Sequence, residues 1–180
     1  MPQARGRLPG QIRQHHQFFR LHAHPDLVNL YQDGGYMSVE QILAAARAEI
    51  GTPFRHQGRV SGKALDCAGL ICHVASVIGL EYFDQQGYSR HPSQGLLESA
   101  LDGQPCLYRV ALDDMQAGDV LLMRFSGDPQ HLAIYAGWSD VYQDEGIVHA
   151  WLQAKKVSEN RLTDEWRNRI VRIYRFRGIE

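Results

Sequence analysis

No run of apolar residues approaches the roughly 18 needed to cross a bilayer, and the basic opening from Met1 to Arg13 lacks the apolar core of a secretory signal. The sequence therefore predicts cytoplasmic synthesis without a signal peptide and no insertion into a membrane. Net charge is also missing: 19 Lys and Arg stand against 20 Asp and Glu, a formal charge of −1, which removes the global electrostatic reason to expect nucleic acid as a partner. Cysteine is scarce, and three is an odd number, which argues against a disulfide framework and moves attention to a reactive thiol. With 44% hydrophobic and 22% charged residues over 180 positions, the chain reads as one globular core rather than a disordered segment or coiled coil.

The first 36 residues carry scattered prolines, glycines and histidines with no sustained apolar period. Order is expected from Ser38, where Ser38 and Gln41 form a capping box and Val39, Leu43, Ala46 and Ile50 keep helical spacing until Gly51-Thr52-Pro53. A start at Met37 would give a complete domain over 37–180, leaving 1–36 as an irregular extension, native or an artefact of the assigned start. A second helix is expected from Asp66 to Ile78 with Gly79 as its stop, and a short one from Leu96 to Leu101. Strands follow at Val120–Phe125, Leu132–Ala136, Ile147–Leu152 and Ile170–Phe176, with a short helix at Thr163–Asn168. Helices first and closely spaced strands afterwards imply an α+β fold with an antiparallel sheet.

Three segments carry chemistry. In Asp66-Cys67-Ala68-Gly69-Leu70 the thiol falls in the first turn of a helix, where unpaired N–H groups and the macrodipole favour thiolate. Asp66 can cap that helix, and Gly69 lets another segment approach. His131 opens an apolar strand after Ala117-Gly118-Asp119-Val120, where a sheet packed on the helix can deliver it to Cys67 as a base. His149, in Val148-His149-Ala150, can bond the distal nitrogen of His131 and hold the ring.

Taken with Gly51-Thr52-Pro53-Phe54 before the nucleophile, these segments resemble the NlpC-type cysteine peptidases of bacterial cell walls, over about Ser38 to Gly178. The resemblance implies a papain-like fold in which helices pack on a central antiparallel sheet. It makes Cys67 the nucleophile, His131 the base and His149 the orienting residue. Asp66 matches an aspartate that in some members helps receive the substrate's free amine. Phe54 replaces a common tyrosine, Ala68 a common serine, and Trp138 to Gly146 reads as an enlarged hairpin loop. The wording Phe54-Arg55-His56-Gln57 and the carboxyl-terminal segment from Trp166 to Phe176 look most like the phage and prophage subgroup, often encoded among tail genes. The implied substrate is a peptidoglycan stem peptide cut between D-glutamate and diaminopimelate, with phage tail proteins as partners and the wall as place of action.

Phe54, Arg55 and His56 are candidate substrate contacts, with a solvated loop as the competing reading. Neither a metal nor an organic cofactor is expected. Cys72 and His73 fall on other helix faces than Cys67, Cys106 reads as packing, Lys155-Lys156 as a solvated turn, and His15, His16, His22 and His24 as an irregular end. Two rival functions remain: an N-acetylmuramoyl-L-alanine amidase, and a catalytically silent structural tail component.

Overall fold

The computed structural model describes residues 37–90 and 94–179. Helix α1 (Val39–Ala48) starts at the expected capping box, where the Ser38 N–H donates to Gln41 Oε1 at 3.0 Å. Ile42, Ala45 and Ala46 form its buried stripe; Ile50, expected on that stripe, lies past the helix end and is exposed. The chain then makes a two-strand hairpin, β1 (Arg59–Val60) and β2 (Ala64–Leu65), directly before α2 (Cys67–Val77). Leu70, Ile71, Val74 and Ala75 bury one side of α2, and Gly79 at φ 77° turns the chain away as a left-handed stop should.

Helix α3 (Leu96–Asp102) leads into β3 (Leu107–Val110), and a 3-10 turn at Leu112–Asp114 precedes β4 (Val120–Met123). Then come β5 (His131–Ser139), β6 (Asp144–Trp151), β7 (Lys156–Arg161), the one-turn helix α4 (Asp164–Arg167) and β8 (Ile170–Phe176). All six later strands form one antiparallel sheet in the order β3-β8-β4-β5-β6-β7. The α+β papain-like class expected from the sequence is what forms.

Strand alternation divides the apolar residues between the two faces. Leu122, Leu132, Ile134, Val148 and Tyr174 join α1, α2 and α3 in the main core, while Leu121, Ala133, Ile147 and Ile173 form a smaller cluster with Leu162 and Trp166. Among the described residues no helix is long and apolar enough to cross a membrane.

Two sequence readings change here. The segment from Trp138 to Gly146 is no enlarged loop: Gly137 pairs with Gly146, Trp138 with Glu145 and Ser139 with Asp144, leaving a turn at 140–143. The strand continues because a bulge between Tyr135 and Gly137, with Gly137 at φ 64°, absorbs the break that glycine signals. Lys155 is in a turn, at φ 57°, but Lys156 begins β7. The histidines at 15, 16, 22 and 24 lie outside the described residues, as does the whole 1–36 extension.

Candidate active site

Asp66 is the structural anchor at the start of α2. It is buried and accepts from the Gly69 N–H at 2.8 Å and from Arg59 Nη1 at 2.8 Å through one oxygen. Its other oxygen accepts from the Gln57 N–H at 2.6 Å and from the Tyr88 hydroxyl at 2.5 Å. Arg59 also donates to Asp84 Oδ1 at 2.8 Å and to the Tyr88 oxygen at 2.9 Å. A carboxylate with four donors is fixed rather than free, because each of its preferred acceptor directions is used. Gly69 has the close approach anticipated for it: a Cβ there would stand 2.1 Å from the Gly58 carbonyl oxygen.

Cys67 opens α2 with its side chain on the wall of a cavity of about 570 Å³ that His131 also lines. Burial pushes its thiol from 9.0 up to about 12, helped by the Asp66 charge and opposed by the backbone N–H groups of Leu132 and Ala68. That displacement corresponds to about 4 kcal/mol against ionisation. Desolvation thus works against the helix terminus, which favours the thiolate by up to about 2 kcal/mol.

His131 begins β5 and His149 lies on neighbouring β6, both buried. Their rings meet, His131 Nε2 lying 2.9 Å from His149 Nδ1, a contact that the sequence allowed. His149 Nε2 in turn lies 3.0 Å from Asn160 Oδ1 on β7. An aromatic cover encloses the pair: Trp151 stacks on His149 at 5.5 Å, Trp166 meets it edge-on at 5.0 Å, and Phe125 packs 5.6 Å from His131. Burial pulls His131 well below 6.5, the His149 ring adding to the effect, and burial lowers His149 to about 4 against the pull of Asn160. Both rings are therefore neutral at pH 7.

The remaining candidates divide. Phe54 and His56 line the cavity, and His56 Nε2 is 3.0 Å from the Tyr88 carbonyl oxygen; Arg55 is exposed and is not among the lining residues. Cys72, next to Asp84, and Cys106, packed in the main core, also border the cavity, whereas His73 pairs with Glu49 at 3.2 Å on another side of α2. Arg59, Tyr88, Asp84, Asn160 and the aromatic cover escaped sequence reasoning. Tyr88 supplies a tyrosine hydroxyl next to Asp66, from a segment unrelated to the Phe54 position.

A cysteine at a helix start thus shares a cavity with a histidine at the start of a strand of the packed sheet. The family model described as NlpC/P60 matches residues 51–175, which contain every member of this arrangement. The chain belongs to the NlpC/P60 family. Its NlpC/P60 domain is similar in fold to an NlpC/P60 family protein from Bacillus cereus, with a TM-score of 0.54 and 16% identity over 77% of this chain and 40% of that one. It is also similar to the peptidoglycan hydrolase RipB from Mycobacterium tuberculosis, with a TM-score of 0.52 and 18% identity over 79% of this chain and 65% of RipB. RipD from the same organism, a non-catalytic NlpC/P60 domain protein adapted to peptidoglycan binding, gives a TM-score of 0.50 and 18% identity over 77% of this chain and 97% of RipD. The chain thus spans 40% of the first of these proteins and 65% of the second. No curated protein sequence matches it.

Proposed function

We propose that this NlpC/P60 domain is a cysteine peptidase that hydrolyses an amide bond of peptidoglycan stem peptides, between D-glutamate and diaminopimelate. The observation that carries the reading is that Cys67 and His131 line one cavity, with His149 bonded to His131 behind it. As Cys67 Sγ attacks the amide carbonyl, its proton passes to neutral His131, so no buried charge pair has to exist beforehand. The tetrahedral oxyanion is held by backbone N–H groups at the start of α2, including that of Cys67. His131 then gives its proton to the departing amine, leaving a thioester on Cys67 that water hydrolyses.

The phage-like wording at Phe54 to Gln57 supports action at the bacterial wall as part of a virion tail. The reading in which the domain binds peptidoglycan without cutting it draws on the non-catalytic RipD neighbour. Digestion of purified muropeptides followed by mass spectrometry tests all of these. The expected result is a new amino terminus at diaminopimelate. Release of intact stem peptide from muramic acid would make the domain an amidase, and no product with demonstrable binding would make it a wall-binding module.

A further inference from the structure

Asn160 stands at the end of the hydrogen-bonded line that begins at His131, and the chemistry of its side chain gives that line a direction. Asn160 Oδ1 lies 3.0 Å from His149 Nε2 and also accepts from the Ser158 hydroxyl at 2.8 Å. A carboxamide oxygen has lone pairs and no proton, so His149 Nε2 must carry the hydrogen. His149 is neutral, its ionisation lowered to about 4, so its Nδ1 holds a bare lone pair. His131 Nε2, 2.9 Å away, must then be the donor. That leaves His131, likewise neutral, with an unprotonated Nδ1 as the nitrogen able to take the thiol proton.

We propose that Asn160 is a positioning residue that sets the tautomer of His149 and, through it, the tautomer in which His131 can serve Cys67 as a base. The inference rests on the cysteine peptidase reading for its kinetic consequence, but the tautomer itself is a property of the folded protein without substrate. The reverse polarity, with the Asn160 amide donating, would put a proton on His131 Nδ1 and leave no base for the thiol. The Ser158 hydroxyl donates to the same Oδ1 in this arrangement. The register makes this possible: Ser158 is paired with His149 and Asn160 with Ile147, so His149 and Asn160 emerge on the same face of β6 and β7.

The test uses full-length protein with nitrogen-15-labelled imidazoles. At pH 7 the spectrum of the unsubstituted protein should show both His131 and His149 protonated at Nε2. In Asn160→Leu, which keeps the volume and loses the acceptor, Nδ1–H forms should appear, kcat on muropeptides should fall about 10- to 100-fold with KM little changed, and alkylation of Cys67 by iodoacetamide should slow in parallel. Asn160→Asp restores an acceptor, so it should return the Nε2–H tautomers and most of kcat, with the acid limb of the pH profile moved upward by the added charge. A proton on His131 Nδ1 in the unsubstituted protein would overturn the proposal, as would an Asn160→Leu variant with unchanged kcat and alkylation rate. If no muropeptide is cleaved by the unsubstituted protein, the peptidase reading fails, while the spectra and the alkylation rates still decide the role of Asn160.

Discussion

His131 and His149 are held neutral by burial beneath Phe125, Trp151 and Trp166, and this has consequences for both rate and stability. The base must be unprotonated, so the acid limb of kcat/KM should lie below the ordinary imidazole value of 6.5. A pH profile with its half-maximum at or above 6.5 would contradict the enclosed, neutral relay. For stability, the unfolded chain takes up a proton on each histidine near 6.5, whereas folded His149 does so only at about 4. Between those values the unfolded state binds more protons. The His149 contribution, about 3 kcal/mol, is fully present above 6.5 and is lost as pH falls toward 4. Calorimetry should show Tm falling over that window, and falling less in His149→Asn. In turnover, His149→Asn should retain much more activity than His149→Ala, because an amide can still accept from His131 Nε2; equal rates for the two would place the orienting role elsewhere. That Cys67 and His131 come to one cavity and that His131 meets His149 was legible because each sits in a short motif. Asn160 was not, because an isolated asparagine in a polar segment has no spacing that marks it, and Arg59 and Tyr88 reach Asp66 through loop geometry that no period encodes.

Elements that turn a face to the core announced themselves, and those at the sheet edges did not. Both helices with a continuous apolar stripe and the central strands β4, β5, β6 and β8 follow from periodicity, with ends displaced by a few residues. Besides the short β1–β2 hairpin, the strands that the sequence pattern does not show are β3 and β7, the edges of the large sheet. Their sequences, Leu107-Tyr-Arg-Val and Lys156-Val-Ser-Glu-Asn-Arg, bury only Leu107 and Val157 and otherwise stay partly or fully solvated, so they lack a strand-like apolar pattern. At the α2 start, packing is tight enough to test directly. Gly69→Ala would place a methyl 2.1 Å from the Gly58 carbonyl, so the loop carrying Gln57 must move away from Asp66. The expected loss is about 1–3 kcal/mol in urea denaturation, with turnover reduced beyond what unfolding explains. Full activity at unchanged stability would show that this approach does not hold the site. Asp66→Ala should cost more, about 3–5 kcal/mol, because it strips a buried carboxylate from Arg59 and removes the helix cap together; a loss under 1 kcal/mol would refute the anchoring role.

For the molecule as a whole, α2 packs on α1 and on the large sheet, where it meets chiefly β5 and β6, the strands that carry His131 and His149. The described structure begins with Met37 bridged to Ile179, which ties the first and last described segments together. We propose that a chain beginning at Met37 keeps its Tm and its activity, since every site residue lies after that point; a clear loss of either would show that residues 1–36 belong to the domain. The central claim is that Cys67 attacks the amide and carries the acyl group. It is tested most directly by quenching a reaction with purified muropeptides in acid and analysing the digested protein by mass spectrometry. The peptide containing Cys67 should carry the mass of the acyl half of the substrate, with Cys72 and Cys106 unmodified, and Cys67→Ala should give neither adduct nor product. Undiminished product from Cys67→Ala would contradict the account.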